Sequence, residues 1–117
     1  MPMVRVIAEY IHGADEQDSQ MIFDVRLNEN GKIDSAFEFY GCSWSNQGSY
    51  PFILQADDED NEIEIYWGIY NPPFITTMTF QNNNNNNIVV GAVFIRTDQE
   101  GGQVTHYDYQ IAEILAM

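Results

Sequence analysis

The sequence predicts an all-β fold, an antiparallel β-sandwich or a small β-barrel of about eight strands, and three observations predict it. Short runs rich in Val, Ile, Phe, Tyr and Thr alternate apolar and polar residues with a period of two, the pattern of a strand with one buried face. Clusters of Gly, Asn, Asp and Pro separate these runs at short intervals, as turns require. The 117 residues suit a single acidic domain spanning 1–117, since a second core would have too little chain to close.

The run at 3–11 puts Val4, Val6, Ala8 and Tyr10 on one face and Arg5 and Glu9 on the other. A polar stretch at 13–20 ends it. At 21–27, Met21, Phe23, Val25 and Leu27 alternate with Ile22, Asp24 and Arg26, so a buried face separates from a wet one. The segment 28–31 ends in Asn30 and Gly31, a pair that tolerates the positive φ of a primed hairpin turn. The third run continues with Ile33, Phe37 and Phe39 inward and Asp34 and Glu38 outward. Residues 41–49 read as a loop by composition, and the short run 50–55 as an edge strand, because Pro51 cannot donate to a ladder.

In the fifth run Ile63, Ile65 and Trp67 alternate with Glu62, Glu64 and Tyr66, and Asn71, Pro72 and Pro73 then break the pattern. A sixth run spans 74–81, and the uninterrupted asparagines at 82–87 read as a flexible hairpin loop. The seventh run, 88–97, is apolar on both faces, with Ile88, Val90, Ala92 and Phe94 on one and Val89, Val93 and Ile95 on the other. It is either a strand covered on both sides within the chain or, over 88–95, the pairing surface of a homodimer. After the loop at 98–103, Tyr107, Tyr109 and Ile111 alternate with His106, Asp108 and Gln110. Residues 113–117 finish that strand or form a short helical turn.

Eighteen Asp and Glu stand against the four basic residues Arg5, Arg26, Lys32 and Arg96, a formal net charge of −14. Nucleic acid is excluded as a ligand, because phosphate binding needs a basic patch that releases counterions. An anionic membrane surface is excluded by the same sign, and no apolar run approaches the ~18 residues of a membrane span. Seven Tyr, seven Phe and two Trp set the chain apart from acidic disordered sequences, which lack aromatic residues. Cys42 is the only cysteine, so the chain has no intrachain disulfide, and with no signal-peptide pattern at its start it reads as cytoplasmic.

Catalytic motifs are missing: the sequence has no Gly-x-Ser-x-Gly elbow, no phosphate-cradling glycine loop and no His-Glu-x-x-His. Cys42 with His12 or His106 lacks zinc-ligand spacing, and strongly negative surroundings oppose the thiolate that a nucleophilic cysteine needs. The protein is read as a non-enzyme without a resident cofactor. Calcium is the one cation the composition suggests, because Asp57, Asp58, Glu59, Asp60 and Asn61 concentrate oxygen ligands. Adjacent acids point in diverging directions, however, which makes this run a solvated turn. If successive strands pair as hairpins, alternate loops gather at each end, and a weak calcium site from Asp15, Asp18 and Asp98 becomes an alternative.

The leading expectation is a protein-interaction module whose acidic surface binds a basic partner, as an inhibitor, an adaptor or a mimic of nucleic acid. Its candidate residues are Asp15, Glu16, Asp18, Asp57, Asp58, Glu59, Asp60, Asp98 and Glu100, with Trp44 in unusually polar company. Opposite charge speeds encounter and makes such binding salt-sensitive. The alternatives are a β-barrel holding a small apolar ligand, motivated by the strand count and the aromatic residues, and a calcium-dependent β-sandwich.

Overall fold

In the computed structural model the described residues form eight antiparallel strands: β1 (Met3–Gly13), β2 (Gln20–Arg26), β3 (Phe39–Ser45), β4 (Gly48–Ala56), β5 (Glu62–Trp67), β6 (Ile75–Phe80), β7 (Val93–Glu100) and β8 (Gln103–Ala116). The structure describes residues 3–13, 19–45, 48–57, 62–67, 75–81 and 87–117. Each strand pairs with the next, and β8 returns to pair with β1, so the sheet is a closed up-and-down barrel rather than a sandwich. Closure comes from β8, a 14-residue strand whose residues 107–116 run along β1, with register shifts between Ile7 and Ala8 and again between Tyr10 and His12. Such bulges bend a strand and let a small barrel close.

Alternation decides what lies inside. Val6 and Ala8 of β1, Met21, Phe23 and Val25 of β2, Phe52 and Leu54 of β4, and Ile63 and Ile65 of β5 are buried. The rings of Phe23, Phe80 and Tyr109 surround Phe94 with centroids 6.4, 5.3 and 5.5 Å away. These rings occupy the middle of the barrel, as the interior of an eight-stranded barrel allows. Charged residues stand on the outside, among them Arg5, Glu9, Glu62, Glu64 and Glu113, the reverse of a barrel that faces lipid. No helix among the described residues is long and apolar enough to cross a membrane.

The structure corrects several expectations. The turn after β2 is a three-residue loop, closed by the Asn28 amide donating to Lys32 O, with Gly31 at φ 79°. It is the bulged hairpin form rather than the two-residue primed turn, and Asn28 Oδ1 also accepts the amides of Asn30 and Lys32. The chain then leaves the ladder, so Phe37 does not continue the inward series: it is exposed, under the Arg26 guanidinium at 4.5 Å. Residues 41–45, read as loop, belong to β3. β4 has partners on both sides, so it is not an edge strand. Pro51 lies opposite Cys42 of β3, and among the described residues the pairing with β5 starts at Phe52.

The doubly apolar run at 88–97 divides. Residues before Val93 are not strand; they cross one end of the barrel, where the Ile88 amide donates to Gly31 O and Gly91 and Ala92 exchange backbone bonds with Ile111. Ile88 and Ala92 are buried there beside Ile33, whereas Val89 and Val90 are exposed. The apolarity of both faces thus reflects a plug followed by a strand. β7 itself has β6 on one edge and β8 on the other, which leaves no edge for a second copy to pair with. Residues 113–116 continue β8 as strand.

Candidate functional site

Two places bring chemistry-bearing side chains together. The first is the barrel end where β5 finishes and β6 begins. Here the inward positions turn polar: Ser43 and Thr76 are buried, and Arg96 and Asp98 of β7 also point inward. Thr76 Oγ1 accepts the Trp67 indole N–H at 2.9 Å and donates to Asp98 Oδ1 at 2.8 Å. Arg96 donates from Nε to Oδ1 at 3.1 Å and from Nη2 to Oδ2 at 2.9 Å, a fork-to-carboxylate pairing. Its guanidinium lies against the rings of Trp67 and Tyr107, 4.8 and 5.0 Å from their centroids. Burial disfavours the charged guanidinium, but the hydrogen bonds and charge of Asp98 outweigh it and hold its pKa above the ordinary value. Nearby, the buried hydroxyls of Ser19 and Tyr109 share a 2.8 Å hydrogen bond. This network closes one end of the barrel with polar groups that satisfy one another, as buried polar groups must.

The second place is the outer face of β2 to β5. Cross-strand register sets Tyr40 of β3 opposite Ile53 of β4, and Ile53 opposite Tyr66 of β5, all on the outside. A parallel row links Ile7, Ile22, Cys42 and Pro51, and Trp44 stands next to Cys42 in the outward series. Tyr40 is 71% exposed, Trp44 48% and Tyr66 48%. The result is a contiguous aromatic and aliphatic band across neighbouring strands. Exposed carboxylates rim it: Glu9 beyond Gln20, Glu38 beside Phe39, and Glu62 and Glu64 on β5. The Tyr66 hydroxyl donates to Glu64. That bond, with burial and the charges of Glu64 and Glu38, keeps the phenol protonated above its ordinary pKa.

The described sequence-selected acids, Asp57, Asp98 and Glu100, lie apart from this band. Asp98 is engaged inside the barrel by Arg96 and Thr76. Glu100 is exposed at the end of β7, and Asp57 is exposed at the opposite end of the barrel. Asp15, Glu16, Asp18, Asp58, Glu59 and Asp60 lie outside the described residues, as do Asn71, Pro72, Pro73 and asparagines 82–86. Among the described residues no three His, Cys, Asp or Glu side chains are placed to hold a metal ion. Among the described sequence candidates, Trp44 is the one that belongs to the band. Tyr40, Ile53 and Tyr66 were missed, although Tyr66 already stood among the outward residues of its run, a large aromatic where Glu62 and Glu64 face water.

Fold and face together define a class: a closed eight-stranded up-and-down β-barrel, apolar in its middle and polar at one end, carrying an acid-rimmed aromatic band outside. The chain matches no protein-family model, and comparison with curated proteins and with solved structures likewise finds no match.

Proposed function

We propose that this barrel is a non-enzymatic protein-binding module that presents the outer face of β2 to β5 to a basic partner, as an inhibitor or adaptor. The observation that carries this reading is the band of Tyr40, Ile53, Tyr66, Cys42, Pro51 and Trp44 bordered by carboxylates. Contiguous exposed apolar surface marks interaction sites, and exposed Tyr and Trp are the residues that interface centres favour. The charge supports the sign of the partner. Each arginine is already paired with an aspartate of this chain, Arg5 with Asp24, Arg26 with Asp34 and Arg96 with Asp98. The net charge of −14 attracts a basic surface over a distance set by ionic strength. A small apolar ligand has less to recommend it, since entering the mid-barrel means displacing Phe23, Phe80, Phe94 and Tyr109.

The test is affinity capture from an extract at low salt with the native chain and with a Tyr40→Ser, Trp44→Ser, Tyr66→Ser triple variant. The expected result is one basic protein, released as salt rises and missing from the variant's eluate. A protein captured equally by both chains defeats the assignment to this face.

A further inference from the structure

The chain itself shows how it accommodates arginine. Arg96 stacks on Trp67 and Tyr107 while its fork grips Asp98, and Arg26 stacks on Phe37 with Asp34 beside it. In both places a ring supplies the face and a carboxylate supplies the acceptor, the two halves of guanidinium recognition. The same two halves occur on the outside. Tyr66 is half exposed on β5 with its hydroxyl bonded to Glu64, so a ring and a carboxylate stand side by side. Tyr40 stands two strands away across Ile53, roughly 10 Å off by the spacing of neighbouring strands. That gap accepts a planar group lying on either ring with Ile53 as its floor. Glu38 is close enough for its charge to be felt at Tyr66. Each arginine of the chain is paired with an aspartate, and the Arg5–Asp24 pair borders the seat because Asp24 lies opposite Tyr40.

We propose that Tyr40, Ile53, Tyr66, Glu64 and Glu38 form a seat for an arginine side chain of the partner, which makes an exposed arginine the anchor of the interaction. The inference rests on the reading of this face as a protein-binding surface and deepens it by naming the group recognised. A second copy of this chain is a poor occupant, because its own arginines are committed and its charge repels. Arginine is favoured over lysine because a planar guanidinium can stack and fork at once, whereas an ammonium is a compact point charge that keeps its water.

The probe is acetyl-hexa-arginine amide, titrated at low salt and compared with acetyl-hexa-lysine amide, with affinity read by calorimetry and position by the ring signals of Tyr40 and Tyr66 in NMR. Hexa-arginine is expected to bind more tightly than hexa-lysine and to move both ring signals. Each ring contributes roughly 2–5-fold in affinity, so a Tyr40→Leu, Tyr66→Leu double variant should bind about 10-fold more weakly, while Tyr66→Phe, which keeps the ring, stays within about 2-fold. Thermal melts confirm that each variant is folded. Binding that salt weakens but that the double leucine variant retains in full overturns the seat and leaves the electrostatic face standing. No binding of hexa-arginine, or ring signals that stay still, overturns the seat as well, and the capture experiment then decides separately whether the face binds a protein.

Discussion

Replacing Asp98 by Asn tests whether the polar end of the barrel is a dry ion pair. Arg96 and Asp98 are each 13% exposed, and the carboxylate receives three donors, Thr76 Oγ1, Arg96 Nε and Arg96 Nη2. Asparagine keeps the shape but offers one oxygen, so its amide nitrogen meets a guanidinium N–H whichever way it turns. The guanidinium is also left without its counter-charge. Removing one partner of a buried pair costs about 3–5 kcal/mol, which lowers Tm by roughly 12–20 °C for a domain of this size. Urea unfolding should show the midpoint falling with an unchanged slope. Trp67 reports locally, since its indole donates to Thr76, and a Trp44→Phe background leaves it as the sole tryptophan of the two.

A double substitution at the pair separates an uncompensated charge from lost contacts. An Arg96→Met, Asp98→Leu double variant removes both charges and keeps comparable volume, and should recover most of the stability lost by Asp98→Asn alone, because apolar replacements of buried pairs are often neutral or better. A cost below about 1 kcal/mol for Asp98→Asn, the range of a solvated surface pair, would refute the account of a water-excluded pair. A double variant no better than the single one would show that packing, not charge, sets the cost.

Three other outcomes follow from particular residues. In Gly41→Ala the added methyl falls 2.5 Å from Phe52 Cζ and 2.8 Å from the Ile22 carbonyl oxygen, so urea unfolding should register a loss of about 1–3 kcal/mol, the range for overpacked cores. Tyr109→Phe strands the buried Ser19 hydroxyl and should cost about 1 kcal/mol, a loss that adding Ser19→Ala largely reverses. Hydrogen bonds from Arg5 hold Asp24 below its ordinary 3.8, so this pair adds stability above that pH and loses it as pH falls through the lowered value. In melts across pH, the gap between the native chain and Arg5→Gln should therefore be widest at neutral pH and close in acid.

The elements that the sequence made legible are those whose large residues face inward. In β1, β2 and β5 the alternation of Val6 and Ala8, Met21 and Phe23, and Ile63 and Ile65 maps directly onto burial. β3 inverts the pattern. Its inward positions hold Gly41 and Ser43 because the Phe52 ring fills the space over Gly41 and Arg96 reaches to within 3.4 Å of Ser43 Oγ. Its outward positions hold Tyr40, Cys42 and Trp44. A strand with small residues inside and aromatics outside looks like a loop when burial is inferred from hydrophobicity. The feature that concealed the strand is the same one that makes its outer face a candidate site. Barrel was not separable from sandwich for a different reason: closure depends on β1 meeting β8, a pairing between the two ends of the chain that no local pattern encodes.

Closure also constrains how anything can bind. An open sheet offers a row of unpaired amides and carbonyls to which a partner can add a strand, but here each strand has a neighbour on both sides. Recognition through β3, β4 and β5 must then use side chains, and Tyr40, Trp44 and Tyr66 present the most aromatic area there. Amide hydrogen exchange distinguishes the two modes. A partner bound through side chains should leave exchange at the β3–β4 and β4–β5 ladders, whose bonds already exist in the free barrel, close to its free value while shifting the aromatic signals. New protection confined to the backbone of one of these strands would mean that the barrel opens at a seam to accept a strand, and the argument from closure would fail.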